Sequence, residues 1–123
     1  MKIYHETIVD GMYSVSDLKL DWDLLLSDKY KLWAKYKYTL LKFYYSPNHE
    51  GSCSDVAQEF NDNTSSLNAL VMHFGRAVQK TVGDFSVMHN NKMQYWTISM
   101  NGYNDNKNHF VWRLRPDLTD AIK

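Results

Sequence analysis

Apolar positions along the chain follow two periods, and the changes from one to the other divide it into elements. The opening segment KIYHETIVDGMYSV alternates loosely through Ile3, His5, Thr7 and Val9 and breaks at Asp10-Gly11. It reads as a strand and turn, or as a poorly ordered lead-in. SDLKLDWDLLLSD then reads as a short helix or helical turn with Trp22, Leu25 and Leu26 as its apolar face. Residues 30–45 contain no Gly or Pro and stop before Ser46-Pro47-Asn48, a turn signal. On a helix of about 3.6 residues per turn, Trp33, Leu40, Leu41 and Tyr44 are buried. Lys31, Lys35, Tyr38 and Lys42 form a separate stripe.

SCSDVAQEF starts a short helix, with Ser52 as N-cap and Asp55 three residues on in a capping-box pattern. Its apolar face is Val56, Ala57 and Phe60. After the turn NDNT, Thr64 or Asn63 caps a longer helix over 64–82. Leu67, Leu70, Val71, Phe74, Val78 and Val82 recur there at core-facing spacing, and Gly83 ends it. The opposite face holds Ser65, Ala69, Met72, His73, Arg76, Gln79 and Lys80.

Near the C-terminus, QYWTISMNGYNDNKNHFVWRLRP alternates with period two on both sides of a polar tip. Trp96, Ile98 and Met100 point one way, against Tyr95, Thr97 and Ser99. Phe110, Trp112 and Leu114 answer from the second strand, with Val111 and Arg113 outward. A hairpin over 95–114 is expected, its tip running from Asn101 to His109, longer than a tight turn needs. Pro116 opens a last helical turn, DLTDAI.

Helix, short helix, turn, longer helix, hairpin is the element order of a winged helix-turn-helix, an α+β fold. The expected division is a lead-in over 1–20 and a winged-helix-like domain over 21–123. In the DNA-binding use of this motif the second helix enters the major groove and the hairpin, or wing, touches the backbone. Arg76, Lys80, Lys107 and Arg113 are then the phosphate-contacting candidates, and Ser65, Asn68, His73 and Gln79 the base-facing ones. Lys31 and Lys35 add a second basic ridge as further DNA-binding candidates, although such a stripe is more often a solvated helix face than a phosphate ridge. Any amphipathic helix has a polar outer side, so the alternative is a protein-interaction module without DNA contact.

Composition narrows this only in part. The 123 residues carry 14 Lys and Arg against 14 Asp and Glu, so the neutral total favours no partner, and distribution matters more. Residues 1–28 carry six acids against Lys2 and Lys19, whereas residues 29–42 carry five lysines and no acid. A lone cysteine, Cys53, excludes an intramolecular disulfide and fits a reducing cytoplasm. No apolar run approaches the roughly 18 residues of a membrane span, and no signal-peptide pattern is present.

From Trp22 to Ile122 the sequence resembles a small domain of modification-dependent restriction proteins of the McrB type and related nuclease-linked architectures. The likeness runs through Asp21-Trp22 with Leu24-Leu25, Leu41 to Tyr45, Ser52-Cys53 with Val56-Ala57, and Asn68 with Gly75-Arg76-Ala77-Val78. It continues through Tyr95-Trp96-Thr97-Ile98 to Gly102, and its most specific part is Phe110-Val111-Trp112-Arg113-Leu114-Arg115 through Ala121-Ile122. Leu67, Met100 and Pro116 depart from the pattern. The resemblance implies a recognition module for double-stranded DNA, modified DNA included, working with an effector nuclease or GTPase/ATPase domain, fused or separate.

Catalytic patterns are weak by comparison. Glu6 with Asp17-Leu18-Lys19 formally matches a metal-dependent nuclease motif, but the triplet falls in a turn or helix start instead of a strand. One Cys and scattered His residues do not make a zinc site, and no phosphate-binding Gly-rich loop exists. Cys53 sits near a helix N-terminus with no base beside it and reads as a small buried residue. Tyr38, Tyr95 and Tyr103 fall on outward positions, where a flipped base would stack. The expectation is a binding protein and not an enzyme, with no cofactor or metal.

Overall fold

The first nine residues form an extended segment that changes partners half-way. In the computed structural model, which describes residues 1–122, β1 (Lys2–His5) runs parallel to β5 (Phe85–His89), pairing Lys2 with Phe85 and His5 with Met88. After Glu6 the chain continues as β2 (Thr7–Val9), which turns back through Asp10-Gly11 into β3 (Met12–Ser14). Both turn residues have positive φ, 53° and 78°, the conformation that two-residue hairpin turns require. Lys123, the last residue of the expected domain, lies outside the described residues.

The remaining elements are α1 (Trp22–Leu25), α2 (Leu32–Tyr44), β4 (Glu50–Ser52), α3 (Cys53–Glu59), α4 (Thr64–Val82), β6 (Lys92–Met93), β7 (Met100–Asn104), β8 (Phe110–Leu114) and α5 (Pro116–Ala121). The fold is α+β. A three-stranded sheet has the order β1-β5-β6, and a five-stranded sheet the order β2-β3-β7-β8-β4, antiparallel throughout. Hydrophobic residues of every helix and of both sheets meet in one core, with Phe43, Phe74, Leu67, Ile98, Met100 and Leu114 among its fully buried members.

Residues 1–20, expected as a strand or poorly ordered lead-in, form three strands and contribute to this core. Val15 and Leu18 are 2% and 1% exposed and pack in the same cluster as Trp22 and Phe74. Their short, loosely patterned strands are stabilised by partners more than 70 residues away, which local periodicity does not register.

The helices follow their caps. Ser52 accepts from the Asp55 N–H at the start of α3, and Asn63 accepts from the Ser66 N–H at the start of α4. α4 buries Leu67, Val71, Phe74, Gly75 and Val78 and ends at Gly83 with φ 68°. Val82 and Phe60, expected inside, are 45% and 37% exposed because each lies at the fraying end of its helix. α2 buries Leu32, Tyr36, Thr39, Leu40 and Phe43, a face rotated from the expected one, with Trp33, Leu41 and Tyr44 half-buried at its margins.

The larger departure concerns residues 95–99. The expected strand begins only at Met100, and Trp96–Ile98 form a 3-10 turn in which Trp96, Thr97, Ile98 and Ser99 are all buried. Thr97 tolerates burial because its hydroxyl donates to Glu6 Oε2 at 3.2 Å. The turn packs on α4 at Gly75, where a Cβ would overlap the Tyr95 carbonyl. Val111, expected outward, is also buried, at 7% exposure.

Candidate nucleic-acid interface

α4 is amphipathic over its whole length, and its outward side carries most of the polar residues singled out from the sequence. Ser65, Asn68, His73, Arg76 and Lys80 are all exposed, with Ala69 and Met72 half-buried between them. Successive steps of three and four residues hold Ser65, Arg76 and Lys80 near the centre of that side. None of these five makes a side-chain hydrogen bond or ion pair among the described residues, so their donors are open to solvent. Arg76 does stack its guanidinium over the Tyr95 ring, 5.9 Å from the centroid.

Gln79 does not belong to this set. Its side-chain amide donates to the Phe85 carbonyl at 2.8 Å, which ties the last turns of α4 to the start of β5. Arg113 is likewise engaged. Its Nε donates to Glu50 Oε1 at 2.8 Å, a second nitrogen reaches the same oxygen, and Tyr103 donates to Glu50 Oε2. The guanidinium therefore neutralises a carboxylate on the neighbouring strand β4, and its charge is not free for a phosphate. The hydrogen bond to Glu50 raises the Tyr103 pKa, with burial and the Glu50 charge adding to it and Arg113 opposing it.

Lys31 and Lys35 are exposed but stand elsewhere. α2 turns its buried side to α4 and the β8 strand, so the outward sides of the two helices face away from each other. Lys42, the last lysine of that stripe, is paired with Asp62 at 2.5 Å, and its hydrogen bond holds the Asp62 carboxyl below its usual pKa. Tyr38 is 68% exposed beside Lys35, while Tyr95 and Tyr103 are half-buried.

The tip of the β7–β8 hairpin is shorter and more self-contained than expected. The strands reach Asn104 and Phe110, leaving five residues, 105–109. The Asp105 carboxylate accepts from the Lys107 and His109 amides at 2.8 and 2.9 Å, and these contacts hold its pKa down. Lys107 is exposed, but it stands near Asp105, whose opposite charge acts against its own.

Sequence reasoning missed a second hairpin. β5 and β6 pair His89 with Lys92 around Asn90-Asn91, whose φ values are 49° and 64°. An Asn-Asn pair between short apolar runs was the available signal. Asn90, Asn91, Lys92 and Met93 are all exposed. Beneath the hairpin lies the Glu6 side chain, 1% exposed, with Oε1 at 3.3 Å from His89 Nδ1 but not aligned for a hydrogen bond. Burial raises the Glu6 pKa, against the opposing effects of His89, Thr97 and Gln94.

Asp17, of the nuclease-like triplet, is exposed, and among the described residues no three His, Cys, Asp or Glu side chains are placed to hold a metal ion. No described helix is long and apolar enough to cross a membrane. The chain matches no protein-family model, and neither a curated protein nor a solved structure is significantly similar to it. The restriction-protein resemblance therefore rests on its quoted motifs alone.

Proposed function

We propose that the chain is a winged helix-turn-helix domain that binds double-stranded DNA with the outward face of α4. The order α2, β4, α3, α4, then β5, β6, β7 and β8, with β8 seated between β4 and β7, supports the winged-helix reading. α3 and α4 are joined by the short turn 60–63, and the second of them presents its face to solvent.

The observation that carries the DNA reading is electrostatic. Residues 63–104 hold Arg76, Lys80 and Lys92 against a single acid, Asp84, in a chain that is neutral overall. Within α4 there is no acid at all, and Ser65, Asn68 and His73 supply short donors and acceptors beside Arg76 and Lys80. Cations set the affinity for phosphates, and short polar groups read base edges. The opposite, lysine-bearing side of α2, with Lys31, Lys35 and Tyr38, stays available to an effector domain.

Binding of an about 20-base-pair duplex at roughly 50 to 200 mM salt tests this. Replacing Arg76 and Lys80 together by Ala is expected to flatten the salt dependence by about two units of slope. Unchanged affinity and slope in that variant, with its circular dichroism intact, rule the reading out. A protein partner captured without any duplex binding favours the interaction-module alternative.

A further inference from the structure

We infer that the β5–β6 hairpin, and not the β7–β8 tip, is the second element that grips the DNA backbone beside α4. The inference rests on the DNA reading of α4 and specifies where the duplex lies on it.

Contacts on both sides of this hairpin hold it along the flank of α4. Gly75 leaves room for the Tyr95 backbone to lie against the helix, the Arg76 guanidinium covers the Tyr95 ring at 5.9 Å, and the Tyr95 hydroxyl reaches Met93 Sδ at 3.8 Å. At the other end, Gln79 holds the Phe85 carbonyl. The hairpin root is thus joined to the same turns of α4 that present Arg76 and Lys80. Its tip residues Asn90, Asn91 and Lys92 are exposed.

Charge separates the two hairpins. From Phe85 to Asn104 there is no acid, so nothing on its own strands offsets Lys92. The one carboxylate beneath, Glu6, is 1% exposed and faces His89. In the β7–β8 tip, by contrast, Asp105 faces Lys107 and His109 and already takes two of the tip amides. Arg113, further down that hairpin, is spent on Glu50. A phosphate approaching α4 therefore finds, among the described residues, the unpaired Lys92 cation and the Asn91 side-chain amide on β5–β6, Asn90 being hydrogen-bonded to His89 Nε2 at 3.2 Å, and a neutral, closed loop on β7–β8.

The test compares variants that leave both hairpins folded, on the same duplex and salt series. Lys92→Ala should lower the slope by about one unit, while Lys107→Ala leaves it unchanged. Asn90→Asp combined with Asn91→Gly keeps a turn sequence suited to positive φ but adds a negative charge to the tip. It should weaken binding about tenfold. If Arg76→Ala lowers the slope but the Lys92 and tip variants match wild type, the hairpin assignment fails and the α4 reading survives. If Lys107→Ala costs as much as Lys92→Ala, the preference for β5–β6 is overturned. Should the wild-type protein bind no duplex, both fall.

Discussion

Arg115 donates from Nη2 to the Leu18 carbonyl at 2.6 Å and from Nη1 to the Val15 carbonyl at 3.2 Å, across nearly a hundred residues of sequence. Its Nε pairs with Asp117 at 3.1 Å, and the side chain is 6% exposed. The same Asp117 accepts from Trp22 Nε1, so one guanidinium fastens the loop after β3, the first helical turn and α5 together. Removing it leaves the Leu18 carbonyl without a donor and the Val15 carbonyl with only the Leu18 N–H, at 3.2 Å. Arg115→Ala should cost about 2–4 kcal/mol, read by urea unfolding. Arg115→Lys should recover little, because an ammonium cannot span both carbonyls and the carboxylate in one plane. Full recovery by Lys would show that charge alone matters.

Gly75 makes a different demand. A methyl group there meets the Tyr95 carbonyl, which is backbone and cannot swing aside. Gly75→Ala is therefore expected to push the Trp96–Ile98 turn off α4 at a cost of about 1–3 kcal/mol, even though Ala is the better helix former. A rise in stability on substitution would mean that the turn does not lie this close.

Much of α4 was legible in the sequence, because its determinants are local: Asn63 caps it, Leu67, Val71, Phe74 and Val78 mark its buried side, and Gly83 stops it. Arg76 and Lys80 are where that periodicity predicts. Several of the misreadings share a cause, which is a distant partner. Thr97 and Ser99 imitate the outward residues of a strand, yet Thr97 is buried on Glu6, 91 positions away. Arg113 does lie on the outer face of its strand, but Glu50 on β4 takes its charge. The parallel pairing of β1 with β5, like the second hairpin it borders, joins short segments too weakly patterned to identify alone.

Cys53 offers a check on burial. Desolvation pushes its thiol up to about 12 from an ordinary value of 9.0, despite its place in the first turn of α3. At pH 8 its thiolate fraction is then about a thousandfold below that of an unhindered cysteine. Alkylation by iodoacetamide, followed by mass spectrometry, should be slow in the folded protein and rapid in denaturant. Equal rates in both states would place the thiol in solvent.

Gln79 separates stability from binding. Its hydrogen bond to the Phe85 carbonyl contributes about 1 kcal/mol and turns the amide toward β5. Gln79→Ala is expected to lower the unfolding midpoint while leaving duplex affinity intact, the reverse of Arg76→Ala, which changes an exposed side chain. A Gln79→Ala variant of normal stability with weakened duplex affinity would return this residue to the contact surface.

Glu6 gives the domain a pH dependence of unusual sign for a carboxylate. Burial raises its pKa above the ordinary 4.5, outweighing the attraction of His89 and the hydrogen bonds from Thr97 and Gln94. The native state therefore holds this proton more tightly than the unfolded chain. Its contribution is largest below about pH 4.5 and is lost as pH rises through the native pKa. Glu6→Gln keeps the shape and an acceptor for Thr97 but cannot ionise. Relative to wild type, the variant should gain stability between pH 4 and pH 7, measured by urea unfolding at each pH. A variant that instead loses ground to wild type over that interval would show that the ionised carboxylate, held by His89 and Thr97, stabilises the junction of β1 and β2.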